Sequence, residues 1–165
     1  MLSLCSVTHH IDKGNFGMPG KIGLLWVCVL SFQIFLNFPC IAADPAVLQE
    51  RVPPDQIDEA RSWENPFSAT PENVAKGKKI FHGKAFCVTC HGRDGKGLGK
   101  IPGLVGKLPR NFTDKAWQAA RTDGELFWIL KNGSPGTDMA SFIPLVLGEE
   151  EAWYVLLYVR TFGNE

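Results

Sequence analysis

Two cysteines and a histidine near the middle of the chain, Cys87, Cys90 and His91, form a C-x-x-C-H motif. On a helical turn, residues three and four positions apart share a face, so both thiols and the imidazole point to one side. Thiols at this spacing can add across the two vinyl groups of one porphyrin, and the histidine can then bind its iron. The motif therefore predicts one covalently attached haem c, with Cys87 and Cys90 as its thioether links and His91 as an axial ligand.

Two other uses of the cysteine pair fit the sequence less well. A structural zinc site needs four ligands, and beyond residue 43 the only cysteines and histidines are those of the motif and His82, which is crowded just before it. A thioredoxin-like dithiol requires a βαβ context, yet no strand-rich pattern precedes Cys87. Haem attachment is the favoured interpretation.

The first 43 residues are typical of an export signal. Lys21 supplies a positive charge, residues 22–38 are mostly apolar, and small residues precede Asp44. This order is that of a cleavable secretory signal peptide, with Met18 as an alternative start. The sequence therefore predicts residues 1–43 as a signal peptide and a periplasmic location for the mature protein.

Whether residues 1–43 are cleaved also decides whether the other cysteines remain in the protein and whether it contacts a membrane. The chain has three further cysteines, all before the cleavage point: Cys5, Cys28 and Cys40. Cleavage would leave only the two haem-linking cysteines, and therefore no disulfide. An uncleaved segment would anchor the protein to a membrane, but its apolar run is short and interrupted, so this is the less favoured alternative.

The second axial ligand follows by elimination. Met139 is the only methionine beyond residue 43, and it lies in a loop-like stretch that contains Gly133, Pro135 and Gly136. A thioether is a soft, neutral donor that favours ferrous iron. We therefore predict Met139 as the second iron ligand, in preference to a core-filling role. The spare histidine, His82, is expected to pack on a helix rather than to bind metal.

The order of segments around the motif resembles that of class I cytochromes c of the exported bacterial type, and the resemblance covers residues 71–165. The segments that carry it are a helix at residues 71–84, the C-x-x-C-H motif, a glycine-rich loop, a short helix at 122–132 and a last helix at 149–162. The resemblance implies an all-α fold in which three to five helices wrap around one covalently bound haem.

In relatives of this family, the first helix crosses the last one beside the haem, where a small residue and aromatic side chains meet. Gly77 and Phe81 match this pattern in the first helix, and Trp153 or Tyr158 matches it in the last. The resemblance therefore predicts direct contact between these two helices.

The family also raises expectations about individual positions near the iron. A proline carbonyl is expected to accept the Nδ1 proton of His91, and Pro102 and Pro109 are both candidates. The chain departs from many relatives at Ala140, where proline is common, and at Gly148, where Ser or Thr usually caps the last helix. For Arg110 and Trp128, surface and core roles are favoured over contact with the haem propionates.

Composition and charge divide the rest of the chain. Residues 44–70 are rich in proline and acidic residues, which predicts a linker ahead of the cytochrome c domain at 71–165.

The full chain has 17 basic and 17 acidic residues, but the basic ones are concentrated at residues 76–115. These charges predict either steering of an acidic redox partner to the haem or an even scatter of solvated side chains. Nothing in the pattern indicates binding of nucleic acid.

The resemblance implies a soluble one-electron carrier, and no constellation of acid, base and nucleophile suggests an enzyme. Two alternatives stay open. The chain could be the haem-bearing subunit of a larger respiratory oxidoreductase. It could also be a gas-sensing or peroxidase-like haem protein, if Met139 leaves the iron.

Overall fold

The computed structural model describes residues 48–97 and 108–164 of the chain, and these ranges contain α-helices but no β-strand. The helices are α1 (Ile57–Ser62), α2 (Pro71–His82), α3 (Cys87–His91), α4 (Lys115–Ala120), α5 (Asp123–Asn132) and α6 (Glu149–Thr161), followed by a 3₁₀ turn at Phe162–Asn164. The prediction of an all-α fold is confirmed for the described residues. Every described residue belongs to one compact unit. None of the described helices is long and apolar enough to cross a membrane.

Helix α2 begins where the sequence predicts, because Thr70 caps it. The Thr70 hydroxyl accepts a hydrogen bond from the Asn73 amide at 3.2 Å, and Pro71 occupies the first helical position. The helix ends slightly earlier than predicted, at His82. Gly83 leaves the helical conformation there, while its amide still donates to the carbonyls of the last turn.

Helices α2 and α6 cross in backbone contact. A Cβ atom on Gly77 would lie 1.9 Å from the Tyr154 carbonyl oxygen, so only glycine fits at the crossing. Beside it, Phe81 is 1% exposed and meets Tyr158 edge to face, with 5.3 Å between the ring centroids. Of the two aromatic residues predicted for the last helix, Tyr158 therefore makes the contact with α2. Trp153 stacks instead on Phe127 of α5 at 4.0 Å.

The sequence predicts a linker at residues 44–70, and in the described part of this stretch, 48–70, helix α1 packs against α5 while Phe67 stacks on Tyr154 of α6. A Cβ atom on Gly124 would lie 2.0 Å from the Ala60 carbonyl oxygen, so α1 and α5 touch through their backbones. The indole nitrogen of Trp128 donates to the Gln56 side chain at 3.0 Å, and this ring is buried with Val52. Trp128 therefore has the core role that was favoured for it.

The start of α6 shows how the chain manages without a Ser or Thr cap at Gly148. The carboxylate of Glu151 reaches back and accepts a hydrogen bond from the Gly148 amide at 2.9 Å, which is half of a capping box. The same carboxylate accepts two hydrogen bonds from Lys84, at 2.7 and 2.8 Å. Lys84, and then the Gly148 amide, hold the pKa of Glu151 below its ordinary value of 4.5.

We expect Glu151→Ala to lower the free energy of unfolding by about 1 kcal/mol at pH 7, the usual value of a helix cap. A carboxyl group whose pKa is lower in the folded state stabilises the protein above its unfolded pKa, and that contribution is lost as pH falls through the folded pKa. The difference between variant and wild type, measured by urea unfolding, should therefore shrink below about pH 4.5. Glu149→Ala is the matched control, because Glu149 lies in the same turn and makes only an exposed pair with Lys131.

Candidate functional site

A cavity lies between α3, α5, α6 and the loop that contains Met139. The cavity has a volume of about 260 Å³. Much of its wall consists of apolar side chains, among them Phe81, Phe112, Leu126, Leu130, Val155 and Leu156. All four residues predicted to hold the haem, Cys87, Cys90, His91 and Met139, line this one cavity. Residues far apart in sequence are thus brought together as the prediction requires.

His91 is fixed in the wall of the cavity by a hydrogen bond and a stacked ring. Its side chain stacks on Phe112 with 4.3 Å between centroids, and its Nδ1 lies 3.1 Å from the Arg110 carbonyl oxygen. Because that oxygen can only accept, we place the proton on Nδ1, which leaves the Nε2 lone pair available to a metal. Burial lowers the pKa of His91, although the Arg110 hydrogen bond opposes this. The imidazole is therefore neutral, as an iron ligand must be.

The expectation that a proline carbonyl accepts this proton is wrong for Pro109. A Cβ atom on Gly97 would lie 2.3 Å from the Pro109 oxygen, so that carbonyl faces Gly97 instead of the imidazole. Two backbone hydrogen bonds hold these two segments together. The Gly97 amide donates to the His91 carbonyl at 2.9 Å, and the Phe112 amide donates to the Gly95 carbonyl at 2.7 Å. The next carbonyl, that of Arg110, is the one that reaches His91. The other candidate, Pro102, lies outside the described residues.

The two cysteines stand on α3 at the predicted helical spacing. Cys87 is buried and Cys90 is partly exposed, and both are free thiols. Burial raises the pKa of Cys87 to about 12, so its thiol is protonated at neutral pH. A neutral thiol in an apolar wall fits a thioether link to a porphyrin better than it fits a redox-active dithiol, which depends on a stabilised thiolate.

The loop that carries Met139 is held closed by its own backbone. The Ser134 amide donates to the Met139 carbonyl at 2.9 Å, and the Met139 amide donates to the Thr137 hydroxyl at 3.2 Å. Gly133 has a φ of +81°, and a Cβ atom there would lie 2.8 Å from the Met139 oxygen. These contacts fix the loop although Ala140 replaces the proline of many relatives. Met139 is partly buried, and it lines the cavity.

His82 lies outside the cavity wall and packs on a helix, as expected. Its Nε2 is 3.0 Å from the Tyr158 hydroxyl, and burial lowers its pKa. Within residues 48–97 and 108–164, no three side chains of Asp, Glu, His or Cys converge in the way that a protein-bound metal ion would require.

Three arginines also line the cavity: Arg51, Arg110 and Arg121. From the sequence, a surface role was favoured for Arg110, and no role was predicted for Arg51 or Arg121. Arg51 lies in a stretch without a periodic pattern, and Arg121 precedes the cap of α5, so neither position carried a local signal. The cavity therefore has a cationic portion in addition to its apolar wall.

The basic block at residues 76–115 is partly neutralised within the fold. Three of its lysines form ion pairs: Lys76 with Glu72, Lys84 with Glu151 and Lys96 with Asp94. Four other members are exposed and make no ion pair with a described residue: Lys78, Lys79, Arg93 and Lys115. Both charge hypotheses, steering and even scatter, remain compatible with this arrangement.

Comparison with known proteins agrees with the site. Residues 74–163 match the family model described as Cytochrome c. No curated protein matches the chain. Among solved structures, the chain is similar to the Kuenenia stuttgartiensis reducing HAO-like protein complex Kustc0457/Kustc0458, with 27% identity and a TM-score of 0.53. That match covers 65% of this chain and 54% of the other, so the chain spans about half the length of the protein it resembles.

Proposed function

Because the chain belongs to the cytochrome c family, we propose that it is a one-electron carrier with a single haem c, attached through Cys87 and Cys90 and ligated by His91 and Met139. The observation that carries this proposal is that a neutral imidazole and a thioether line the same apolar cavity as the two thiols. The donor set and the lining therefore fit a haem.

The residues of the cavity explain how such a carrier would work. When bound, the haem supplies an iron that changes between the ferric and ferrous states. Burial keeps His91 neutral and the Arg110 carbonyl orients it, and Met139 offers a soft donor that favours the ferrous state. The apolar side chains exclude water and so disfavour the extra charge of the ferric state. If His91 and Met139 both bind the iron, no position on the metal would be left for a substrate.

The N-terminal part of the proposal rests on sequence alone. Residues 1–43 act as a signal peptide that is cleaved before Asp44, and the mature protein works in the periplasm. Membrane anchoring through an uncleaved segment is the less favoured alternative. The redox partner carries acidic groups at its docking surface, opposite the exposed cations Lys78, Lys79, Arg93 and Lys115.

A second candidate function is that of a haem-bearing subunit in a larger oxidoreductase. The observation that favours it is the similarity to a chain of a reducing HAO-like protein complex. Size-exclusion chromatography of the protein isolated from its native source separates the two candidates. A monomer of about the mass of the mature chain supports the carrier, whereas stable elution with another protein supports the subunit.

Carbon monoxide binding tests the ligation. The reduced protein is expected to show no change in its visible spectrum under carbon monoxide at neutral pH, because Met139 holds the sixth position. Met139→Ala should bind carbon monoxide readily, with the shift of the Soret band that accompanies a new ligand. Leu145→Ala is the matched control, since Leu145 is 89% exposed and lies close to Met139 in sequence. Ready binding by the wild type would overturn the closed-carrier proposal and favour gas sensing or peroxidase-like chemistry.

A further inference from the structure

The three arginines that line the cavity, Arg51, Arg110 and Arg121, form no ion pair with an acidic residue in the described ranges 48–97 and 108–164. Burial lowers the pKa of Arg110, and the nearby charges of Arg51 and Arg121 lower it further, against a smaller opposing effect of Asp114. The three guanidinium groups therefore form a cluster of like charge on the wall of a largely apolar cavity.

The acidic residues on the same cavity do not neutralise this cluster. Glu125 is 2% exposed, but its carboxylate accepts from the Thr122 amide at 2.7 Å and lies 3.5 Å from Arg61. Asp138 is exposed and makes no ion pair with a described residue. Partly buried cations without a carboxylate partner are costly, and they are expected where an anionic ligand completes the site.

Arg51 reaches the cavity from a segment outside the family match, which begins at residue 74. Several contacts fix that segment, residues 48–63, on the domain. Arg121 donates to the Leu48 carbonyl, and Arg61 bridges Glu50 at 2.6 Å and Glu125 at 3.5 Å. Val52, the neighbour of Arg51, is 5% exposed and also lines the cavity. The segment is therefore part of the cavity wall.

We propose that residues 48–63 form a built-in cover over one edge of the haem, and that Arg51, together with Arg110 and Arg121, binds the two propionate carboxylates of the haem. This inference rests on the proposed function, because it requires a haem in the cavity. The chemistry matches: a haem carries two carboxylates, and a guanidinium group can hold a carboxylate through two parallel hydrogen bonds. Removal of water from this edge would strengthen each of these bonds.

The cover would also change the reduction potential of the haem iron. Propionate charges that are left unbalanced stabilise the ferric state, so cations that neutralise them favour reduction. Arg51→Gln is therefore expected to lower the equilibrium constant for reduction about tenfold, which corresponds to 59 mV for a one-electron couple. Arg51→Lys keeps the positive charge but loses the parallel N–H donors of the guanidinium group. We therefore expect a smaller decrease in the equilibrium constant for reduction. Lys131→Gln removes one positive charge from an exposed site outside the cavity, and it should change the constant less than twofold.

The test uses the mature holoprotein and three measurements. Covalent haem content is read from the pyridine haemochrome spectrum, the reduction potential from redox titration, and docking of the segment from hydrogen exchange at the amides of residues 51, 52, 55 and 56. The inference predicts full haem content, a lowered potential and faster exchange in Arg51→Gln. Full haem content with an unchanged potential and unchanged exchange would overturn the cover and leave the carrier intact. A wild type without covalent haem would instead overturn the proposed function, and this inference with it.

Discussion

Replacing Gly77 with alanine is expected to destabilise the holoprotein severely. The added Cβ atom would lie 1.9 Å from the Tyr154 carbonyl oxygen and 3.2 Å from the Tyr158 Cβ. The first of these neighbours is backbone, so helices α2 and α6 would have to move apart. Overpacking typically costs about 1–3 kcal/mol. Because the clash here is with backbone, we expect about 3 kcal/mol, which in a small domain lowers the melting temperature by about 12 °C or more. Thermal unfolding followed by circular dichroism measures the effect.

The expected change in stability is opposite in sign to the change that helix propensity predicts. In an exposed helix interior, alanine is more favourable than glycine by about 1 kcal/mol, so propensity alone predicts a more stable variant. Gly148→Ala is the control, because among the described residues a Cβ atom there would approach only the Glu151 carboxylate, at 3.8 Å. A Gly77→Ala variant as stable as the wild type would show that α2 and α6 are not in backbone contact.

The double variant Cys87→Ser and Cys90→Ser is expected to lose its cooperative fold. Without both thioether links, purification should yield a protein without haem, and the apolar wall of the cavity would then have no partner. A domain of this size has a limited core of its own, and the buried porphyrin is a large hydrophobic body. We expect near-ultraviolet circular dichroism to vanish and the thermal transition to become broad.

A matched change within the motif separates attachment from local damage. Thr89 lies between the two cysteines and is exposed, so Thr89→Ala should keep full haem content and a sharp thermal transition. A cooperative, native-like transition in the haem-free double variant would contradict the prediction. It would mean that the helices pack around the cavity without its occupant.

The features predicted correctly from sequence are those with local causes. Thr70 and Pro71 define the start of α2, and the reciprocal hydrogen bonds of Thr122 and Glu125 define the start of α5. The C-x-x-C-H spacing by itself places three of the four predicted haem-binding residues on one short helix. Met139 could be predicted because elimination left one candidate, and the fold brings it to the same cavity. Its role as a ligand remains a prediction, as does the signal peptide.

The features that sequence analysis missed depend on contacts between distant segments. The carbonyl that faces His91 is decided by the packing of Gly97 against Pro109, which no local pattern encodes. Helix α1 has six residues and no side-chain cap, and its position depends on the space above Gly124. Helix α4 is different, because Asp114 accepts from the Trp117 amide at 3.0 Å. An aspartate at that position was a readable signal for a helix start.

The docking of residues 48–63 against α5 has a practical consequence for anyone who shortens this protein. A fragment trimmed to the boundaries of the family match, 74–163, would discard Val52 and Arg51 and uncover Trp128. Such a fragment would keep every residue of the haem motif and still lack one side of the chamber around it. The family match therefore does not include every segment that packs around the cavity. A shortened version of this protein should keep residues 48–63.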